Sequence, residues 1–221
     1  MDGGFSLVRI GSGRSQGGAG GSKFICKRMF DVSASAILLA LLSPVLLAIV
    51  LAIRLTSPGP VLFKQKRYGQ ASRPFWIFKF RTMHVQMTDH TGVLQTQPYD
   101  DRITPVGHFL RRANLDELPQ LLNVLRGDMS LVGPRPHVPG MLAGGVLYEE
   151  LVPFYFERHE VRPGITGLAQ ACRFRGSTLD PRLAIERINY DLAYVRNSSL
   201  VLDLKILWCT LKNEVWHASG L

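Results

Sequence analysis

One uncharged stretch limits this chain more than anything else in it. Residues 32 to 53, VSASAILLALLSPVLLAIVLAI, run for 22 positions without an Asp, Glu, Lys or Arg. A straight helix of that length covers roughly 33 Å, close to the roughly 30 Å of a bilayer core. Three structures can hold such a run: a spanning helix, a re-entrant hairpin that bends and leaves by the face it entered, or a buried helix of a soluble protein. The centre of the run favours the hairpin. Pro44 lacks a backbone N–H and clashes with the preceding turn, at about 3 kcal/mol inside a helix, and the adjacent Ser43 hydroxyl is placed to serve a carbonyl that proline leaves without a donor. The flanks agree. Lys23, Lys27 and Arg28 precede the run, while Arg54, Lys64, Lys66 and Arg67 follow it, and Lys and Arg concentrate on the cytoplasmic side of a membrane. Both ends are therefore expected on one face.

A chain of 221 residues has room for one domain with a real core plus appendages. The residues up to Ser22 are Gly- and Ser-rich with Arg9 and Arg14 among them, a composition expected to be disordered and without the apolar core of a secretory signal. The expected division is a tail over 1–22, a membrane helix-break-helix over 23–57 and a cytosolic catalytic domain over 58–221. A net charge of +9 calls for an anionic partner: nucleic acid, anionic lipid or a phosphorylated substrate. Nucleic acid is disfavoured by the long uncharged run, and Phe75, Trp76, Phe78 and Phe80 only weakly imitate a stacking platform. Cys26, Cys172 and Cys209 are odd in number and widely spaced, which points to reduced thiols rather than disulfides or zinc. The six histidines are scattered, and none is assigned to catalysis or metal.

Beyond the turn TSPGP, the segments VLFKQKRYG and PFWIFKFRTM alternate apolar and basic residues at period two, predicting strands with Lys64, Lys66, Lys79 and Arg81 on one face. HFLRRANLDELPQLLNVLRG predicts helical pieces broken near Asn114 and Pro119, MSLVGPRPHVPG a short strand and a proline-rich turn, and YEELVPFYFERHEV a helix. RPGITGLAQAC reads as loop or strand, and residues 181–196 and 200–215 as helices, the last suited to a core or a membrane interface. The expected fold class is α/β and rich in helix: an N-terminal re-entrant membrane helix and a compact domain of short strands with amphipathic interfacial helices.

Asp116 and Glu117 admit a purely structural account. Asn114 with Glu117 three residues later fits a capping box, and Asp116 in a first turn suits the helix dipole. The neighbouring cations suggest chemistry instead. Arg111 and Arg112 lie just upstream, and Arg135 stands between Pro134 and Pro136, whose rings limit the cost of ordering its guanidinium. Arginines that bind phosphate beside paired carboxylates suit phosphoryl transfer, and the membrane segment suggests a lipid-borne phosphate.

Several blocks, in order, carry a resemblance: KRMFD, SPVLL, SPGPVLFKQKRYG, FWIFKFRTM, LRRANLDELPQLLNVLRGDMSLVGPRP, EVRPGITGLAQ and LDLKILWCTLK. From Lys27 to about Val215 the chain resembles the bacterial sugar transferase family, the monotopic polyprenyl-phosphate phosphoglycosyl transferases, in their minimal catalytic form. The resemblance implies a re-entrant helix broken at Ser43-Pro44, on the cytoplasmic face of the bacterial inner membrane. It implies Asp116 as nucleophile on the β-phosphorus of a UDP-sugar, and Glu117 taking the acceptor's proton or fixing geometry. Arg111 and Arg135 would bind phosphate, with Arg112 the adjacent alternative, and Mg²⁺ would be held at Asp116. The implied acceptor is undecaprenyl phosphate, the product feeds downstream glycosyltransferases, and the insert after Met141 is most similar to members that transfer glucose 1-phosphate. The rival from another class is a catalytically silent membrane-anchored scaffold holding anionic lipid or precursor.

Overall fold

The computed structural model describes residues 20–89, 100–174 and 180–218. The expected disorder of the tail therefore falls, over residues 1–19, outside the described part. The helix begins before the expected boundary, at Gly20, and α1 (Gly20–Thr56) continues through Pro44. Ser43 Oγ donates to the carbonyl of Ala40 at 2.8 Å, the acceptor that the missing proline N–H leaves open. α1 stops where Pro58 and Pro60 cannot extend it. Arg81, expected on an exposed strand face, is buried here and closes the helix end by donating to the carbonyls of Ser57 and Pro58 at 2.8 and 2.6 Å.

α1 meets the rest of the molecule at both ends. Near its start, Lys27 pairs with Asp203 at 2.6 Å, Arg28 donates to the carbonyls of Val124 and Leu125, and Asp31 accepts from the Leu131 N–H. Near its finish, Ile49 and Ile53 are buried with Phe80 and Leu110. Between these anchors Leu41, Ser43, Pro44 and Val45 are exposed. Among the described residues α1 is the helix long and apolar enough to cross a membrane.

β1 (Leu62–Tyr68) and β2 (Pro74–Phe80) form an antiparallel hairpin. Its register corrects the expectation of a single cationic face. Lys64 stands opposite Phe78 and Lys66 opposite Trp76, whereas Lys79 stands opposite Phe63. Period two therefore puts Lys79 on the other side of the hairpin from Lys64 and Lys66. Lys66 and Lys64 lie over the rings of Trp76 and Phe78, and Lys79 is left to face Glu117.

α2 (Pro105–Arg112) begins with proline in its first turn and with the Thr104 hydroxyl accepting from the Gly107 N–H at 2.9 Å. A 3₁₀ turn over Leu115–Glu117 leads to α3 (Gln120–Arg126), which Gly127 ends at φ +92°. Asn123, wholly buried on α3, accepts from Phe78 N–H at 3.0 Å and donates to the Trp76 carbonyl at 2.7 Å, completing the edge of β2. β3 (Ser130–Val132) pairs in parallel with β6 (Gly164–Thr166), and β4 (Leu142–Ala143) with β5 (Val146–Leu147) in an antiparallel two-residue ladder.

The helix expected over 148–161 is interrupted at Pro153. α4 (Tyr148–Leu151) is one turn long, and a 3₁₀ turn covers Tyr155–Glu160. RPGITGLAQAC, read as loop or strand, contains β6 and the one-turn helix α5 (Leu168–Ala171). α6 (Pro181–Asn197), capped by Asp180, and α7 (Leu200–Ala218) fall where the sequence places them. The main core joins Val124, Met129, Leu168, Tyr194 and Ile206, and a second cluster joins Tyr148, Tyr155 and Ile188. The architecture is rich in helix with few, short strands.

Candidate active site

Asn114 determines where the acidic pair points. It adopts the left-handed conformation, φ 52°, and its side chain does not cap the following turn. The capping box is therefore absent: Glu117 turns away from the helix end and toward β2 and the Pro134-Arg135-Pro136 segment. Glu117 Oε1 lies 2.7 Å from Lys79 Nζ and 2.6 Å from Arg135 Nη2. Burial opposes its ionisation, yet Arg135 and Lys79 outweigh that and hold its carboxyl well below the usual carboxylate range.

Asp116 has the opposite environment. It is buried to 9 % exposure, and among the described residues its carboxylate accepts no hydrogen bond and joins no ion pair. Desolvation raises its pKa above the ordinary value, and the charges of Lys79 and Arg111 oppose the rise without cancelling it. Both carboxylates line a cleft of about 340 Å³ in which five cationic side chains face three carboxylates. A carboxylate tied to two cations is a poor nucleophile and a poor proton acceptor. One stripped of water and of partners is better at both.

Arg111 also lines the cleft, its Nε donating to Thr82 Oγ1 at 2.8 Å, while Arg112 is exposed and does not reach it. The structure thus separates the two adjacent arginines that sequence leaves as alternatives. Position depends on Gly107, because a Cβ there would come within 2.1 Å of the Thr82 carbonyl; only glycine lets α2 approach the chain after β2 closely enough. Arg135, expected at the phosphate, does not itself line the cleft and touches it through Glu117, to which it donates at 2.6 Å. Ser43 and Pro44 lie in α1, and Pro134 and Pro136 frame Arg135 as structural rather than reacting groups. Arg162, adjacent to Gly164, does not line the cleft.

Sequence reading missed Lys79 as a site residue, along with Gln65, Arg67 and Thr82, which also line the cleft. Alternation within each strand was visible, but which face meets Glu117 depends on the hairpin register and on α3 docking against it. No metal-binding group of three or more His, Cys, Asp or Glu occurs among the described residues. Mg²⁺ takes one or two carboxylates together with substrate phosphates, and Asp116, which lines the cleft, is a carboxylate that could hold it there.

The family model described as bacterial sugar transferase matches residues 22–217. The chain is 52 % identical over 196 residues to the exopolysaccharide production protein PSS of Rhizobium leguminosarum bv. phaseoli, covering 89 % of this chain and 98 % of that one. It is 52 % identical over 185 residues to the UDP-glucose:undecaprenyl-phosphate glucose-1-phosphate transferase of Caulobacter vibrioides, covering 84 % and 68 %. With the Escherichia coli protein of the same name it shares 46 % over 187 residues, covering 85 % of this chain and 39 % of that longer relative. Extending over nearly all the described residues and including the acidic pair, the match establishes that the chain belongs to the bacterial sugar transferase family.

Proposed function

We propose that this protein transfers glucose 1-phosphate from UDP-glucose to undecaprenyl phosphate, releasing UMP, as the first membrane step of exopolysaccharide assembly. The observation that carries the reading is the asymmetry of the acidic pair: Glu117 is fastened to Lys79 and Arg135, while Asp116 lines the cleft unpaired among the described residues. The names of the relatives support the choice of glucose and of the lipid acceptor.

In the first step an Asp116 carboxylate oxygen attacks the β-phosphorus of UDP-glucose. The bond from that phosphorus to the bridging oxygen breaks, and UMP leaves with the oxygen and the electron pair. The sugar phosphate stays on Asp116 as a mixed anhydride. In the second step an oxygen of undecaprenyl phosphate attacks the same phosphorus and returns Asp116 to its carboxylate. A phosphate monoester with its second pKa near 6 is largely ionised at neutral pH, so the acceptor needs little help from a base. Glu117 therefore orients Lys79 and Arg135 rather than taking a proton. Arg111, which lines the cleft, and Arg135, beside Glu117, neutralise phosphate oxygens, offsetting the repulsion between carboxylate and diphosphate. Mg²⁺ bound at Asp116 and the diphosphate would add charge neutralisation for the leaving group.

The anchoring of α1 at both ends to one domain, with Ser43-Pro44 exposed between, supports a re-entrant placement on the cytoplasmic face of the inner membrane. The product, a lipid diphosphosugar, is a substrate for glycosyltransferases acting on the same face. The deciding experiment incubates detergent-solubilised protein with Mg²⁺, undecaprenyl phosphate and UDP-glucose and identifies the nucleotide released. UMP from the parent and none from Asp116→Asn is expected. UDP would mean ordinary glycosyl transfer and end the mechanism. UMP from a different UDP-sugar alone would correct the donor.

A further inference from the structure

Arg135 is presented on a segment that cannot be fixed in the ordinary way. Pro134 and Pro136 have no N–H, so the backbone there must be held mainly through its carbonyls. Four consecutive carbonyls are each held by a different donor. Pro134 accepts from the Gly164 N–H at 2.9 Å, Arg135 from Arg158 Nη2 at 2.6 Å, Pro136 from Arg67 Nη1 at 3.2 Å and His137 from the Tyr68 N–H at 3.0 Å. Gly164 and Tyr68 donate from backbone, and Arg67 lines the cleft. Arg158 is different, because it is a buried charge that does not line the cleft.

Arg158 is 1 % exposed, and its partner Asp191, on α6, is 2 % exposed. Arg158 Nε and Nη2 both donate to Asp191 Oδ2. A buried ion pair of this kind is a weak source of stability, since well-packed apolar residues of the same volume often do as well. Its geometry suggests why a guanidinium stands here. With two nitrogens of a planar fork fixed on one carboxylate, the remaining Nη2 hydrogen has one direction left, and the Arg135 carbonyl lies in it.

We propose that Arg158, oriented by Asp191, is a positioning residue for Arg135: it fixes the Arg135 backbone so that the guanidinium meets both Glu117 and the substrate diphosphate. The inference rests on the proposed transferase reading. A displacement of about 1 Å in a catalytic group can cost on the order of a hundredfold in rate, so Arg158→Lys, which keeps the charge and loses the fork, is expected to lower kcat/KM about 30-fold or more, chiefly in kcat.

The test is a double-mutant cycle on the full chain in detergent, reading UMP release from UDP-glucose for the parent, Arg158→Lys, Arg135→Lys and the double variant. If Arg158 acts through Arg135, the double variant is within about twofold of Arg135→Lys alone. Losses that multiply would overturn the proposal and leave Arg158 as support for the fold alone. Thermal melting in the same detergent accompanies each variant. If Arg158→Lys melts below the assay temperature, Asp191→Asn takes its place, with the same two outcomes. A parent that releases no UMP would overturn the transferase reading itself, whereas an active parent with multiplying losses overturns the positioning role alone.

Discussion

On either side of Arg135 the chain builds a cluster of carboxylate and arginine, with opposite results. In front, Glu117 meets Arg135 and Lys79 at the wall of the cleft, and Asp116 beside it has no cation within bonding distance among the described residues. Behind, Asp191 meets Arg158 in near-complete burial, among Tyr148, Tyr155 and His137. The rear cluster has the more deeply buried ion pair, and neither of its members lines the cleft. The two clusters thus differ in whether an ionisable group is left unpaired at an opening among the described residues, which is the difference the proposed reaction uses. The strength of the pairing around it says little.

This contrast is broken most sharply by Asp116→Asn. It should abolish turnover, at least about a thousandfold in kcat/KM, while leaving the melting temperature unchanged or raised, because a desolvated carboxylate without a partner is removed. A large drop in melting temperature would mean that Asp116 is structural after all. The rear pair should answer in the opposite way. Asp191→Ala leaves the Arg158 charge buried and alone and should cost about 3–5 kcal/mol of stability, read by denaturant unfolding in detergent. Glu117→Gln lies between, with about a hundredfold loss of turnover and about 2 kcal/mol of stability, because Lys79 and Arg135 are then left facing one another.

Smaller effects sharpen the comparison. Gly107→Ala should move α2 and with it Arg111, lowering kcat/KM about tenfold by displacement alone. The rear cluster also makes a pH prediction. His159 is buried, and its pKa is lowered to about 4 by desolvation and then by Arg158; burial and Arg158 push His137 down as well. The unfolded chain takes up these protons near the ordinary value of 6.5, before the folded one does. Stability should therefore be full above pH about 6.5 and fall as the pH drops toward about 4, at no more than about 1.4 kcal/mol per unit for each histidine. His159→Asn, which keeps a polar atom near the Ser72 hydroxyl that lies 2.9 Å from Nδ1, should flatten that slope in pH-dependent melting curves. Activity should fail in acid for a separate reason, the protonation of Asp116 at a pKa raised above the ordinary carboxylate value.

What could be read from the sequence was local. The length and purity of residues 32–53, the proline at their centre, the strands β1 and β2, the break at Asn114 and the helices α6 and α7 all follow from periodicity and from residues that start or stop an element. The acidic pair and the arginines at 111, 112 and 135 stood out because they lie close together in the chain, and the choice of Arg111 over Arg112 came from the family resemblance. Which of them pair was decided by tertiary structure. Lys79 and Glu117 are 38 residues apart, Arg158 and Asp191 are 33 apart, and neither contact leaves a trace in spacing. The hairpin register sends Lys79 to one side and Lys64 with Lys66 to the other, and the left-handed Asn114 turns Glu117 out of a capping box and into an ion pair. An amino-acid pattern specifies the period of a strand or the end of a helix because those are set by neighbouring dihedrals. Charge pairing and desolvation depend on elements distant in the chain, so only the folded structure made Asp116 the unpaired carboxylate and Glu117 the anchored one.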